Sequence, residues 1–128
     1  MTASQIQLFS IPVSDQDRAR EFYVNVLGFD VVRDVVDAMG PGARWLHVAP
    51  PGAQTSVALV TWFPSTPAGS IKGIVIETPD LDAAVTSIRA ARYPLIADIE
   101  DQPCGRFTTF DEPDGNGMVL QASAPPSS

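Results

Sequence analysis

The first half of the chain shows a strand pattern, a helix pattern and then further strand patterns. The mostly apolar segment "IQLFSIPVSD" predicts a strand. After it, Ala19, Phe22, Tyr23 and Val26 fall at the spacing i, i+3, i+4, i+7, which makes one apolar stripe on an amphipathic helix. The β-rich segments "FDVVRDVVDA", "ARWLHVAP" and "SVALVTWF" follow. The predicted order of this half is therefore β-α-β-β-β.

Both ends of this helix carry recognisable signals. Ser14 or Asp15 can accept a hydrogen bond from a first-turn amide, and acidic Asp17 suits the positive end of the helix dipole. Gly28 is placed for the left-handed residue that follows a last helical turn. The sequence therefore predicts a helix that begins near residue 14 and ends before residue 28.

The second half repeats the same order. "IKGIVIETPD" predicts a strand, and the helix after it has Thr78 or Asp80 as its cap. "PLIADIE", "RFTTFDE" and "GMVLQA" predict three more short strands. The apolar stripe of this second helix consists of Leu81, Ala84, Val85 and Ile88.

The two halves align as copies of one unit. A shift of 65 places Asp15 on Asp80, and a shift of 62 places Trp45 on Phe107. A βαβββ unit is too small to bury both of its faces, so two copies are expected to close around a shared interior. We predict one domain over 1–128, with module one at about 5–64, a linker at about 65–70, module two at about 71–123 and a flexible tail at 124–128.

Composition and charge exclude several classes of partner. The 8 Lys and Arg against 15 Asp and Glu give a net charge of −7, which repels nucleic-acid phosphates and anionic lipids. No apolar run reaches the roughly 18 residues that span a bilayer, and no signal peptide is visible. The lone Cys104 excludes an internal disulfide and is interpreted as an unreactive thiol. We expect a cytoplasmic protein with no nucleic-acid or membrane partner.

Two motifs resemble one superfamily. "VSDQDRAREFYVNVLGF" resembles the first-helix signature of the vicinal oxygen chelate superfamily, which includes glyoxalases, extradiol dioxygenases, fosfomycin-resistance enzymes and bleomycin-binding proteins. "FDEPDGNGMVLQ" is similar to that family's "DPDGN" turn and last strand. The resemblance covers about residues 5–123. It implies an α+β fold in which two βαβββ modules in tandem form a U-shaped, cupped mixed sheet with the helices outside.

The resemblance also implies where metal ligands would lie. The family's usual His lies seven residues before the aspartate that opens each helix, which selects Leu8 and Gly73. The usual Glu lies in the strand after the turn, which selects Val119 and, less directly, Ala58. A glycine and three alkyl side chains provide no metal ligand. We therefore predict that the protein binds no metal and needs no cofactor.

A ligand-binding surface follows from the same comparison. Strand side chains alternate between faces, so positions facing the cup can be counted outward from the four ligand positions. In fosfomycin-resistance enzymes, a pair of residues on the strand that precedes the turn contacts the substrate. This pair corresponds to Phe107 and Thr109, and its counterparts in module one are Trp45 and His47. The predicted ligand-binding residues are Ser10, Trp45, His47, Trp62, Phe107, Thr109 and Gln121, with Glu77 as a further polar candidate.

Several of these residues also have structural interpretations. Trp45 and Phe107 can equally be core residues, and His47 can be a hydrogen-bonded structural histidine. Arg44 and Arg106 alternate to the opposite face, where solvation or pairing with acidic residues is expected. The acidic residues of "DEPDGNG" are interpreted as turn chemistry, because its proline and glycines fix the backbone.

The function predicted first is that of a metal-free, homodimeric protein of the glyoxalase/bleomycin-resistance type. It would sequester an aromatic or amphipathic compound, including a cationic one, in the cup. The first alternative is a metal-independent isomerase or lyase with His47 or Glu77 as the base. The second is an accessory protein whose cup is filled by its own side chains and which acts by association.

Overall fold

The computed structural model describes five ranges of the chain. Its residues cluster into two compact units, Met1–Ser70 and Ile71–Ser128. Each unit contains a four-stranded mixed sheet and a helix, which confirms the predicted α+β class and the two βαβββ modules. The predicted U shape and the module boundaries stay predictions. Cys104 and most of the predicted strand "PLIADIE" lie outside the described residues, which are 2–37, 40–62, 67–92, 99–102 and 105–122.

The first unit pairs its strands in the order β1-β4-β3-β2. Strand β1 runs parallel to β4, and the other two pairs are antiparallel. This parallel pairing requires a crossover connection between β1 and β4, and the helix lies within it. The elements are β1 Leu8–Pro12, α1 Gln16–Glu21, a π-helical turn Phe22–Val26, β2 Asp30–Val35, β3 Trp45–Ala49 and β4 Ser56–Val60.

Helix α1 starts as predicted but ends in a wider turn. Asp15 is its cap, since a carboxylate oxygen accepts from the Arg18 amide at 3.0 Å, and Gly28 adopts a positive φ of 78° after it. The predicted α-helix is corrected over its last turn, where the Leu27 amide donates to the Phe22 carbonyl at 3.2 Å. This i→i+5 bond adds a residue to the turn. The stripe is buried as far as Tyr23, whereas Val26 is only half-buried.

The side chain of Gln16 fastens α1 to the sheet. Its amide nitrogen donates to the carbonyl of Arg44 at 3.0 Å and to that of Leu59 at 2.8 Å. The apolar side chains between this helix and the sheet are fully buried, including Phe22 and Leu46. Helix α1 therefore covers one face of the first sheet. The strand residues that alternate with these core residues have their side chains on the other face.

The second unit repeats the arrangement with the order β5-β8-β7-β6, in which β5 and β8 are parallel. Asp80 caps α2 by accepting from the Ala83 amide at 3.0 Å. Leu81, Val85 and Ile88 of the predicted stripe are buried. The elements are β5 Ile74–Thr78, α2 Leu81–Ala90, β6 Glu100–Gln102, β7 Gly105–Asp111 and β8 Gly117–Ala122.

The turn between β7 and β8 is built around a buried carboxyl group. One oxygen of Glu112 accepts from the Asp114 amide at 2.8 Å and from the amide and the side chain of Asn116 at 3.0 Å each. The Asn116 side-chain oxygen in turn accepts from the Ile71 amide at 3.1 Å. This network confirms that the segment is turn chemistry. The burial of Glu112, only 2% exposed, was not predicted.

We predict that Glu112→Gln stabilises the protein at pH 7. The second oxygen of Glu112 has no hydrogen-bond partner among the described residues. Burial raises the pKa of the Glu112 carboxyl above its usual value, although hydrogen bonds from Asn116 and Asp114 oppose the shift. The folded state therefore holds this proton more tightly than the unfolded state, and stability falls as pH rises through the folded pKa. Glutamine keeps the accepting oxygen without the charge, so we expect a gain of about 1 kcal/mol at pH 7.

The measurement is thermal unfolding at pH 7 and at pH 4, with Glu21→Gln on the exposed surface of α1 as the matched control. The gain from Glu112→Gln should shrink at pH 4, where the wild-type carboxyl takes up its proton. An equal loss of stability at both pH values would contradict the role assigned to the charge.

Candidate functional site

Residues Arg44 and Trp45 lie on opposite faces of the first sheet. The Arg44 guanidinium contacts Asp17 of α1 at 2.8 Å, so its side chain is on the helix-covered face. Successive side chains of a strand point to opposite faces. Trp45 and His47 therefore share the face that α1 does not cover, as predicted.

A row of side chains crosses this uncovered face. Ser10 pairs with Ala58, Ala58 pairs with His47, and His47 pairs with Arg33. Residues directly opposite on neighbouring strands have side chains on the same face. The structure therefore brings predicted Ser10 and His47 into one row, with the small Ala58 between them.

His47 of this row also belongs to a group of three aromatic side chains. We call this group, Trp45, His47 and Trp62, the aromatic cluster. The ring centres of Trp45 and His47 lie 4.7 Å apart, and those of Trp45 and Trp62 lie 5.7 Å apart. Strand β4 ends at Val60, but the Trp62 indole donates to the Arg44 carbonyl at 3.0 Å. That hydrogen bond fixes the Trp62 ring next to Trp45 although Trp62 lies beyond the end of the strand.

His47 is the polar member of the cluster, and it is 8% exposed. Its Nε2 atom has no hydrogen-bond partner among the described residues. Burial, and secondarily the positive charge of Arg33, lower the pKa of His47 below its usual value. The imidazole is therefore neutral at pH 7 and has an unused hydrogen-bonding atom.

Arg33 was not predicted to lie near the site. The pairing of β2 with β3 shifts register between Val31 and Arg33, so that two residues of β2 stand where β3 has one. This is the geometry of a β-bulge, and it brings Arg33 opposite His47. A bulge has no clear signal in a run such as "VVRDVV", because its effect depends on the partner strand.

The second unit has an equivalent row. Glu77 pairs with Gln121, Gln121 with Phe107, and Phe107 with Glu100. Thr109 pairs with Val119 in the next row of the same face. The predicted residues Phe107, Thr109, Gln121 and Glu77 thus share one face of the second sheet. Glu100 was missed because it lies on a strand that sequence patterning defined poorly.

The two arginines beside the aromatic strand positions are paired with acidic residues, as predicted. Arg44 holds Asp34 through two hydrogen bonds of 2.8 Å each, which keep the pKa of Asp34 below its usual value. Arg106 donates to Asp101 at 2.9 Å and lies 3.6 Å from Asp82 of α2. Phe107 is therefore on the face that α2 does not cover.

The predicted set is divided between the two units, with Ser10, Trp45, His47 and Trp62 in the first. The prediction that Trp45 and Phe107 face each other across one cavity stays a prediction. A groove of about 340 Å³ lies elsewhere, along α1 and the π-helical turn, and none of the predicted residues lines it.

The comparisons with known proteins identify the family. The model of the Glyoxalase/Bleomycin resistance protein/Dioxygenase superfamily matches residues 5–120. The chain belongs to this superfamily. The Bacillus subtilis (strain 168) protein YetH, described as uncharacterized, is 30% identical over 124 residues, covering 91% of this chain and 97% of that protein.

Two solved structures of the superfamily are similar over almost their whole lengths. TnmS3, an antibiotic binding protein from Streptomyces sp. CB03234, is 42% identical with a TM-score of 0.88, covering 97% of this chain and 99% of that one. A superfamily member from Sphaerobacter thermophilus DSM 20745 is 35% identical with a TM-score of 0.84, covering 96% and 100%. Both the sequence and the backbone of this chain therefore follow established members of the superfamily.

The metal ligands of the superfamily's enzymes do not fit the residues found here. Ala58 lies between Ser10 and His47, and Val119 lies between Val75 and Thr109. Leu8 and Gly73 likewise bring no oxygen, nitrogen or sulfur side-chain atom. Within the described ranges, no group of three or more His, Cys, Asp or Glu residues is placed to hold a metal ion. In those ranges, too, no helix has the length and apolar character needed to cross a membrane.

We predict that His47 titrates below the ordinary histidine pKa of about 6.5. It is the only histidine in the chain, so its ring protons can be followed by NMR without assignment. Because the folded state resists protonation of His47, this residue does not affect the free energy of unfolding above its unfolded-state pKa. As the pH falls below that pKa, His47 lowers the stability of the protein. The same ring signals recorded in urea give the pKa of His47 in the unfolded chain.

Arg33→Gln is the matched variant for this titration. Removing the positive charge should raise the His47 pKa part of the way towards the unfolded value, because burial remains. A folded-state titration at or above the value in urea would show that the imidazole is not desolvated as described.

Proposed function

We propose that the protein is a metal-free binder that sequesters an aromatic or amphipathic small molecule without transforming it. The observation that carries the proposal is the aromatic cluster on the uncovered face of the first sheet, with an unpartnered imidazole nitrogen inside it. The relationship to TnmS3, an antibiotic binding protein, supports an antibiotic-like compound as the ligand.

The cluster suits the capture of a planar ring. Tryptophan side chains provide a large apolar area with a defined stacking geometry. The Trp62 indole is held in place by its hydrogen bond to the Arg44 carbonyl, so little side-chain entropy is lost when a ligand stacks on it. Stacking alone therefore gives affinity with few demands on the ligand's chemistry.

The second unit has a candidate binding surface of its own. Phe107, Thr109 and Gln121 share a face there, and carboxylates of Glu77 and Glu100 end the row that contains the phenyl ring. An aromatic ring beside carboxylates attracts cations. Together with the net charge of −7, this favours a cationic group on a compound that binds the second sheet.

The alternative function is a metal-independent isomerase or lyase. The observation in its favour is that His47 is neutral at pH 7 and can accept a proton. Against it, the described residues provide no hydrogen bond that orients the imidazole, and its lowered pKa makes it a weaker base. Glu77 is exposed. An unchanged ligand recovered after incubation supports binding, whereas a converted product supports catalysis.

A homodimer and a cytoplasmic location remain part of the proposal. The edge strands of sheets have unpaired backbone groups that a second chain commonly covers. An accessory protein acting by association with a partner would use the same edges, and a defined small-molecule affinity separates it from the proposed binder.

We predict that the purified protein contains no stoichiometric metal. The positions where the superfamily's enzymes place their ligands are Leu8, Ala58, Gly73 and Val119, none of which has a donor atom. Elemental analysis by mass spectrometry should give well under one equivalent of Fe, Mn, Ni or Zn per chain. One tightly held equivalent would require different ligands and would refute the metal-free proposal.

We predict that Trp45→Ala weakens ligand binding by about 1–3 kcal/mol through lost contact area. Because Trp45 is only half-buried, the thermal midpoint without ligand should change little. A core tryptophan would instead cost about 3–5 kcal/mol of stability. The binding measurement is tryptophan fluorescence titration with a panel of planar drugs and metabolites, both neutral and cationic.

Phe9→Ala is the matched control for this variant. It removes an aromatic ring from the same sheet, at an exposed position that is not in the cluster, and should leave the affinity unchanged. A large loss of stability in Trp45→Ala, without a change in affinity, would assign the ring to the core and reject the cluster as a binding surface.

A further inference from the structure

We propose that His47 Nε2 is the specificity-determining hydrogen-bonding group of the aromatic cluster, and that it selects aromatic compounds carrying a hydroxyl group. This inference rests on the proposed function and adds the chemical class of the ligand. Without a polar group of this kind, stacking on tryptophan would capture planar rings with little discrimination.

The first argument is the missing partner of His47. The residue is more than nine-tenths buried, and its Nε2 atom has no hydrogen-bond partner among the described residues. Nearly all buried polar side-chain atoms in native proteins are paired, because an unpaired one loses its bonds to water without replacement. A partner supplied by a ligand would resolve this deficit.

The second argument is that none of the described neighbours of His47 on the sheet acts as the partner of Nε2. Ala58, directly opposite on β4, has no polar side-chain atom. Ser10 lies one strand further, roughly 10 Å away across two strand spacings. On the other side Arg33, whose side chain has only donors, makes no hydrogen bond to Nε2, and its positive charge disfavours a protonated imidazole. The Trp45 ring meets the imidazole in an edge-type arrangement with the ring centres 4.7 Å apart, and the indole has no acceptor atom for a hydrogen bond in its plane.

The third argument concerns the chemistry of the ligand. Nε2 of a neutral imidazole accepts a hydrogen bond in one tautomer and donates one in the other. A hydroxyl group can meet either need, whereas an ether can only accept and an ammonium group can only donate. The charge of Arg33 also disfavours a cation here. Because the rings of Trp45 and His47 are 4.7 Å apart, one aromatic ligand can stack on the indole and place a ring hydroxyl at the imidazole.

The test uses three probes of almost equal shape: 2-naphthol, 2-methoxynaphthalene and naphthalene. Affinities are measured at pH 7 by quenching of tryptophan fluorescence and checked by calorimetry. The wild-type protein should bind 2-naphthol about threefold to tenfold more tightly than the ether, the factor expected of one net hydrogen bond. His47→Phe should abolish this ratio while retaining affinity for naphthalene, and His47→Gln should keep part of it.

A stability measurement separates recognition from a structural role. In the absence of ligand, His47→Phe should have a thermal midpoint equal to or above that of the wild type, because an unpaired buried polar atom is removed. A histidine that holds the fold together would lower the midpoint on replacement. If His47→Phe does not fold, the wild-type ratio and His47→Gln still decide the question.

The outcomes distinguish this inference from the proposal on which it rests. Equal affinity of the wild type for 2-naphthol and its ether, or an unchanged ratio in His47→Phe, overturns the role of His47 and leaves aromatic capture intact. Failure of all three probes to bind at concentrations up to their solubility limits overturns aromatic capture itself, and with it the role of His47.

Discussion

Arg44 immediately precedes β3 and Trp45 is its first residue, and their side chains lie on opposite faces of the sheet. The guanidinium of Arg44 binds Asp34 and Asp17 on the helix side. The carbonyl of the same residue accepts from Gln16, which fastens α1, and from Trp62, which completes the aromatic cluster. The docking of the helix and the form of the cluster therefore depend on one residue, although they lie on different faces.

The two modules have kept the same geometry while their chemistry has diverged. In the first sheet Trp45 pairs with Val35, whereas in the second Phe107 pairs with Glu100. Each copy retains an aromatic side chain at the same strand position, but its neighbour on the edge strand is apolar in one and acidic in the other. The two aromatic side chains therefore lie beside neighbours of unlike polarity, Val35 in the first sheet and Glu100 in the second.

Sequence patterning predicted those features that depend on local rules. Helix caps at Asp15 and Asp80 and the alternation that separates Arg44 from Trp45 need only a few neighbouring residues, and each is found as expected. The π-helical turn after Glu21 was missed, since it depends on how Phe22 and Tyr23 pack against the sheet. Burial of the Glu112 side chain was also missed, because its hydrogen-bond partners come together only in the folded turn and follow no periodic pattern in the sequence.

The residues of the candidate site divide in the same way, into those that local rules predict and those that depend on the folded structure. Trp45, His47, Phe107 and Thr109 were predicted from the family resemblance, and the strand period of two keeps each pair on one face whatever the partner strand is. Arg33 was not predicted, because the pairing of β2 with β3 decides on which face of the sheet its side chain lies.

The bulge at Val32 has a consequence for how this family can change. If β2 continued past Val31 in regular register, Val32 would stand opposite His47 and Arg33 would point to the helix side. The polarity beside the imidazole is thus controlled by the length of a strand as well as by the identity of its residues. Loss of the Arg33 codon would remove the bulge and leave Val32 opposite His47, whereas loss of the Val32 codon would remove the bulge and keep Arg33 there, with every contacting residue of β3 and β4 unaltered in both cases. Insertions and deletions in an edge strand are therefore a route to new ligand preferences that a comparison of site residues alone would overlook.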